Sequence, residues 1–366
     1  MKAKRILLLA NEYTTILNFR MELIHALNAD GHKVFVAIPD NENNIDISAA
    51  GCTIVNYNVS RKGRNPLKEM QVIKQIKFIF NSVKPDIVFT FTIKPNIYGG
   101  IVCTKKGIPY VANITGLGMA IESRGVMQKI ALRLYKKGLK KAQKVFFQNA
   151  DNRDFMITHR VVTGSYDLLP GSGVNLERYH VLPYPTGEEV NFMYFARVMK
   201  EKGIDQFVDA AKVIKNKYPN IRFHVCGTCE QGYEDKIKQW VKEGVLIYHG
   251  QVKNIPEMHA ISQCTIHPSF YPEGLSNVLL ESAACGRPII TTDRSGCREV
   301  IDDGVNGFIV RQRDSRDLVE KIERFLNLSW EEKRNMGMAG RIKVEENFDR
   351  NIVIHSYKKE LRKIDK

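Results

Sequence analysis

The sequence predicts an α/β protein made of two doubly wound domains, and three observations carry that reading. Short apolar runs such as Ile6-Leu7-Leu8-Leu9-Ala10 and Val34-Phe35-Val36-Ala37-Ile38 alternate with longer amphipathic stretches, the pattern of buried parallel strands joined by crossover helices. The alternation breaks at Pro183-Tyr184-Pro185-Thr186-Gly187 and starts again at Asn191-Phe192-Met193-Tyr194-Phe195-Ala196. At 366 residues the chain has room for two domains of ordinary size, each with its own core. The expected boundary lies between residues 185 and 186.

In the first half, strands are expected at residues 5–10, 33–38, 53–57, 86–91, 109–113 and 145–149. Helices are expected over 18–29, over 66–83, from about residue 96, and after Ala150. No GxGxxG follows the first strand, so the dinucleotide fingerprint is absent. Instead, Tyr13, Thr14 and Thr15 stand past that strand, and Ile114-Thr115-Gly116-Leu117-Gly118 leaves a later one. Both loops lie at carboxyl ends of strands, where such folds bind ligands. The segment Leu168–Asn175 closes this half.

The second half opens with a strand at 191–196, the loop Arg197-Val198-Met199-Lys200-Glu201-Lys202-Gly203 and a helix over 204–217. Arg197 and Lys202 therefore sit between a strand's carboxyl end and a helix start, a place to clamp a diphosphate. Two solvated surface cations would look the same in sequence. Strands follow at 222–226 and 246–249, and Gly250-Gln251-Val252 and a short helix lead into residues 267–290. Turns at Gly296-Cys297-Arg298-Glu299 and Asp303-Gly304 precede a late strand, and helices fill 314–326, 330–348 and 350–363.

Residues 267–290, HPSFYPEGLSNVLLESAACGRPII, hold the densest chemistry. A loop with Pro268, Pro272, Glu273 and Gly274 runs into the helix Leu275-Ser276-Asn277-Val278-Leu279-Leu280-Glu281-Ser282-Ala283-Ala284. Cys285-Gly286-Arg287-Pro288 stops the helix, and a strand begins at Ile289. A helix N-terminus preceded by glycine offers free N–H groups and the positive end of the dipole, which suit a phosphate. Glu273 and Glu281, either side of that start, suit sugar hydroxyls. A ligand with both parts is a nucleotide sugar. A plain helix N-terminus with Glu273 complementing the dipole has the same spacing.

Charge narrows the partners. The formal net charge is +15, and residues 1–185 carry 26 Lys/Arg against 13 Asp/Glu, leaving the second half nearly neutral. The run from Arg124 to Lys144 has eight basic residues and no acid. Lys129, Arg133, Lys136, Lys140 and Lys144 share one helical face, while Met127, Ala131, Leu134 and Tyr135 lie together elsewhere. An anionic membrane surface is the expected partner, at about 1 kcal/mol per basic residue near the head groups. A solvated basic face is the alternative. Nucleic acid is not expected, because aromatic residues do not interleave and no recognition motif appears.

Seven scattered cysteines fit a reducing compartment, and Cys226-Gly227-Thr228-Cys229 lacks the second pair a zinc site needs. No metal-ligand cluster is visible. The apolar run at residues 6–10 is too short for a signal peptide, and no stretch approaches the roughly 18 apolar residues of a membrane span. The expected location is the cytoplasm, peripherally at the inner face of the plasma membrane.

Glu273-x7-Glu281 followed by Gly286-Arg287-Pro288-Ile289-Ile290 resembles the donor-binding signature of the family 4 retaining glycosyltransferases, which have the GT-B fold. Further segments are similar to that family: Gly171-Ser172-Gly173-Val174-Asn175, Ala196-Arg197-x4-Lys202-Gly203, Asp293-x-x-Gly296-x-x-Glu299 and Asp303-Gly304-x-Asn306-Gly307. The resemblance implies two Rossmann-like domains facing a cleft, the second over 186–345, and a last helix over 346–366 packing back on the first. It implies that Arg197 and Lys202 hold the donor diphosphate and that Glu273 contacts the transferred sugar. Backbone at Gly274, Leu275, Ser276 and Asn277 would meet sugar and phosphates, with Glu281 on the ribose and Val252 beside the donor. It further implies front-face transfer from a UDP-sugar, without cofactor or metal.

The first half resembles bacterial members that extend undecaprenyl-diphosphate-linked sugars, through Phe19-Arg20-Met21, Ile24-x-Ala26-Leu27, and Ser60-Arg61 before Asn65-Pro66. That implies a lipid-linked saccharide acceptor near Thr14, Arg20, Thr92, Lys94, Thr115 and Gly116. Many relatives place a His beside the reacting sugar, and here none lies in 89–94 or 114–118. Thr92, Lys94 or Thr115 stands there instead. Two other readings share the same motifs: a nucleotide-sugar epimerase of this fold, and a catalytically silent sugar-nucleotide binder in a membrane complex.

Overall fold

A computed structural model of the chain describes residues 2–40, 44–59, 66–122, 125–230 and 232–365. The resemblance drawn from Ser60, Arg61 and Asn65 lies outside these residues. The chain divides into two units, Met1–Ser172 with Asn351–Lys366, and Gly173–Arg350.

In the first unit the strands β1 (Arg5–Leu9), β2 (Lys33–Ile38), β3 (Thr53–Asn56), β4 (Ile87–Phe91), β5 (Tyr110–Ile114), β6 (Lys144–Phe147) and β7 (Tyr166–Leu168) form one parallel sheet. Their order is β3-β2-β1-β4-β5-β6-β7. The chain winds outward from β1 to β3 and then crosses to β4, so the carboxyl ends of β1 and β4 flank the switch point where such sheets hold ligands. β4 and β5 are buried along their whole length, because helices cover both faces.

Three expectations about this unit need correction. The helix expected over 18–29 begins only at Met21, and the loop expected before it holds a separate helix, Tyr13–Leu17. They break at Arg20, whose side chain turns inward over the Phe91 ring at 4.7 Å instead of continuing the helix. β7 was not expected, since its three exposed residues carry no apolar pattern. The basic helix spans Val126–Leu139, and Lys144 begins β6, so it leaves the face of Lys129, Arg133, Lys136 and Lys140. Met127 is exposed too, rather than grouped with Tyr135.

The last helix, Arg350–Arg362, completes this core. The Tyr357 ring lies 4.9 Å from Phe89, 5.3 Å from Phe146 and 6.0 Å from Phe91. Asn113 donates through Nδ2 to the Tyr357 hydroxyl at 2.7 Å, and Lys358 pairs with Asp30 at 2.8 Å.

The second unit holds β8 (Val190–Phe195), β9 (Ile221–Cys226), β10 (Ile247–Gly250), β11 (Cys264–His267), β12 (Ile289–Thr292) and β13 (Gly307–Val310), parallel in the order β10-β9-β8-β11-β12-β13. A helix at Glu234–Lys242 was not expected. It shows the core little beyond Ile237 and Trp240 amid charged residues, so its apolar stripe is too thin to read.

The division at Ser172/Gly173 corrects the expected 185/186 boundary. Residues 173–185 pack on the second unit, where Val174 and Tyr179 join the core of Leu279 and Ala283. Arg287, fully buried, donates to the carbonyls of His259 (2.7 Å), Pro183 (2.8 Å) and Leu182 (3.3 Å). At the other end Val344 and Phe348 stay in this core, so the return to the first unit begins at Asn351 rather than residue 346.

Removing the Tyr357 ring empties a pocket between three aromatic residues. Tyr357→Ala should cost about 3–5 kcal/mol of stability by chemical denaturation, and Tyr357→Phe, which removes only the hydroxyl, about 1 kcal/mol.

Candidate active site

The loop after β8 is fixed from below by one phenol. Tyr194 is fully buried, and its hydroxyl lies 3.1 Å from the Arg197 carbonyl and 3.2 Å from the Lys202 carbonyl, so it pins both ends of the loop. Two neighbours pin it from the sides. Val198 N–H donates to Thr228 O at 2.9 Å, and Phe270 N–H donates to Glu201 O at 2.9 Å. Gly203 has φ +76°, and a Cβ there would sit 2.1 Å from the Pro268 carbonyl oxygen, so only glycine allows this approach. The loop is thereby locked to the segments that follow β9 and β11.

Two of its three cations, Arg197 and Lys202, meet carboxylates. Arg197 donates to Glu230, and Lys202 donates to Glu273. Both stand over the Tyr271 ring, at 5.9 Å for the guanidinium and 5.2 Å for the ammonium. Burial pushes the Glu273 carboxyl up, but Lys202 and then His267 outweigh it and hold the group well below the usual carboxylate range. His267, fully buried 3.9 Å from Glu273, is pulled down by burial and further by Lys202, against the pull of Glu273, so its ring stays neutral near pH 7.

The helix that follows, Asn277–Ala284, begins without a side-chain cap. Ser276, in the cap position, turns its hydroxyl to His267 Nε2 at 3.3 Å instead of to the helix amides. Its own N–H donates to Gly296 O at 2.7 Å, and the Gly296 N–H donates to Glu299 at 2.7 Å. The Glu299 carboxylate thus buttresses the helix start from the neighbouring loop. Leu275 sends its side chain into the core, which leaves the backbone of Gly274–Asn277 as the polar surface. Asn277 keeps a buried Oδ1 with no hydrogen-bond partner among the described residues. Val252 packs with Val278 and Phe195 into an apolar cluster beside this start.

Glu281 is one turn further along and has its own surroundings. Tyr179 hydrogen-bonds to it, and Arg350 and Arg178 lie near. Burial nevertheless dominates and pushes its carboxyl up to about 7, against the pull of Arg350, Tyr179 and Arg178. Arg197, Lys202, Glu273 and the helix start are therefore one cluster, with Val252 at its edge and Glu281 in a separate pocket of the same helix. Tyr271, Glu230, His267 and Tyr179 were missed by the sequence reading. They carry no motif spacing, although Tyr271 stands only two residues before Glu273.

The first unit places its expected residues at the carboxyl edge of its sheet, with one exception. Thr14 lies on the Tyr13–Leu17 helix, and Thr115 and Gly116 follow β5. Thr92 has φ +71°, unusual for a β-branched residue, and donates to Asn11 Oδ1 at 2.6 Å. Lys94 pairs with Glu69 at 2.5 Å. Arg20 is the exception: it is buried, donates to Phe19 O at 2.7 Å and faces inward, so it presents no charge to a ligand. Among the described residues no group of three His, Cys, Asp or Glu could hold a metal ion.

On the Val126–Leu139 helix and its C-cap, Lys129, Arg133, Lys136 and Lys140 are all exposed. Among the described residues none of the four has an ion-pair partner. Val126, Met127 and Ile130 stand exposed beside them at 73%, 41% and 43%. Among the described residues no helix is long and apolar enough to cross a membrane.

Comparison with known proteins gives this geometry a family. Residues 5–149 match the glycosyl transferase 4-like model, and residues 184–343 match the model of glycosyl transferases group 1. N,N'-diacetylbacillosaminyl-diphospho-undecaprenol alpha-1,3-N-acetylgalactosaminyltransferase of Campylobacter jejuni is 25% identical over 97% of both chains. The capsular polysaccharide biosynthesis glycosyltransferase CapM of Staphylococcus aureus is 28% identical over 48% of this chain and 46% of its own. Among solved structures, Anabaena HepE in complex with UDP superposes with a TM-score of 0.82 at 16% identity, over 98% of this chain and all of that one. Sucrose-phosphate synthase from Thermosynechococcus elongatus has a TM-score of 0.82 at 18% identity over 99% of both. Two parallel-sheet units, matched in turn by the 4-like and group 1 models, make the chain a glycosyltransferase of the GT-B fold.

Proposed function

We propose that the protein moves a hexose or N-acetylhexosamine, with retention of configuration, from a UDP-sugar to a polyprenyl-diphosphate-linked saccharide in cell-surface polysaccharide or glycan assembly. The observation that carries the donor half is the convergence of Arg197 and Lys202, fixed by Tyr194, with the uncapped start of the Asn277–Ala284 helix. A diphosphate there would replace Glu230 as the partner of Arg197. Charge growing on the leaving diphosphate would be stabilised by the two cations and the helix N–H groups, donors already in place. Glu273, held ionised by Lys202, would accept hydroxyls of the transferred sugar, and Glu281 those of the ribose. On this reading no step needs a metal.

The lipid-linked acceptor is supported by the printed activity of the Campylobacter relative, and UDP by the complex of the Anabaena neighbour. The exposed cations of the Val126–Leu139 helix support work at an anionic membrane surface, on the cytoplasmic side.

Purified protein given a panel of UDP-sugars and a polyprenyl-diphosphate N-acetylhexosamine should release UDP only when the acceptor is present. Lys202→Ala and Glu273→Ala should each lower that transfer by about 10²- to 10³-fold. Epimerised donor without acceptor, or UDP-sugar binding without turnover, would instead point to the epimerase or the silent binder. Ribose hydroxyls donate to an ionised carboxylate, so bound nucleotide lowers the Glu281 pKa and binding strengthens as pH rises through about 7. Calorimetric UDP affinity should therefore rise about ten-fold from about pH 6 to about pH 8, a slope that Glu281→Gln removes. Cosedimentation with vesicles containing phosphatidylglycerol should fall sharply when Lys129, Arg133, Lys136 and Lys140 are changed to Gln, and weaken with added salt. Binding that ignores both changes would count against the membrane face.

A further inference from the structure

We propose that His267 keeps the start of the Asn277–Ala284 helix open for the donor diphosphate, by holding the Ser276 hydroxyl away from the helix amides it would otherwise cap. This rests on the donor reading above. It makes His267 a positioning residue, acting through Ser276 rather than on the substrate itself.

Ser276 is a capping residue type in a capping place. It occupies the N-cap position with extended backbone, φ −77° and ψ 107°, yet makes no side-chain cap. Elsewhere the chain uses the same chemistry to close its helices. Ser329, also extended, accepts from Glu332 N–H at the start of the Trp330–Asn347 helix. Asn149 accepts from Asn152 N–H, and Asp314 from the N–H groups of Arg316 and Asp317. The difference at Ser276 is the imidazole. His267 Nε2 lies 3.3 Å from the Ser276 hydroxyl, and both residues are almost fully buried. One χ1 rotamer can aim the hydroxyl at the ring or at the helix amides, not at both.

Both partners are fixed from outside the contact. His267 ends β11 in register with Thr291 of β12, whose Oγ1 donates to the His267 carbonyl at 2.7 Å. Ser276 is held through its N–H, which donates to Gly296 O at 2.7 Å. The second neighbour of the ring decides its tautomer. Glu273 Oε1 lies 3.9 Å from the same Nε2 and is kept ionised by Lys202, so its charge favours a proton on Nε2. Nε2–H then donates to Ser276 Oγ and occupies the oxygen that would otherwise serve the helix. An apolar residue at position 267 would release that oxygen to cap its own helix, in competition with a bound phosphate.

Calorimetric UDP binding by the full chain tests this. His267→Leu should weaken UDP about five-fold, the effect of displacing a cap of ordinary strength. Adding Ser276→Ala to that variant should recover most of the loss, because no hydroxyl remains to cap. His267→Gln, which keeps an N–H donor near the Nε2 position, should lose less than His267→Leu. Where the leucine variant does not fold, His267→Asn takes its place, since its amide ends short of that position. UDP affinity unchanged by the loss of the Nε2 donor overturns the inference while leaving the donor reading intact. So does a loss that Ser276→Ala leaves or deepens, which would make His267 a packing residue of the core. Wild-type protein that binds no UDP would remove the donor reading itself, and this inference with it.

Discussion

The ion pair between Lys202 and Glu273 is the contact on which the second unit's site depends. The two residues are 71 positions apart, so they meet only if the loop after β8 and the loop after β11 are both in place. Tyr194 sets the first loop by its two carbonyls, and Gly203 lets it press on Pro268. A pair this deep is weak evidence for stability, because desolvation offsets much of the attraction. Removing either partner strands the other, however, and that is costly. The pair therefore ties the integrity of the loops to the presence of both charges, which suits a site that must keep a cation and a carboxylate at fixed spacing.

Much of the frame was legible in the sequence, for identifiable reasons. Buried parallel strands are continuous apolar runs, so β2 could be bounded to the residue and β12 placed by its first residue, and Gly286 and Pro288 after the Asn277–Ala284 helix marked its end. Arg197, Lys202, Glu273 and Glu281 could be named from the sequence because they sit at fixed offsets from those ends. Elements with little apolar surface were not. β7 is an exposed edge strand, and the Glu234–Lys242 helix shows the core little more than Ile237 and Trp240.

Partners brought in by tertiary contact were not legible either. Glu230 reaches Arg197 from 33 residues away, and Tyr179 reaches Glu281 from a segment whose Pro-rich end reads as a free linker. That segment is held by Arg287, whose charge is spread over three carbonyls rather than matched by an acid. A guanidinium used in this way has no sequence signature. Nor has the π-helix at Pro95–Gly99, since one extra residue in a turn leaves the apolar period almost unchanged.

The pairing of Arg197 and Lys202 has a consequence for traffic through the site. Arg197 with Glu230, and Lys202 with Glu273, make the loop close to neutral at short range. A nucleotide diphosphate arriving there would exchange one anion for another instead of filling a bare positive well. Glu230, tethered nearby and about 30% exposed, is a counter-ion of high local concentration that can return as the product leaves. The same carboxylate that competes with entry would thus hasten departure. If the departing group is the bound diphosphate, as proposed, that trade would favour turnover over affinity.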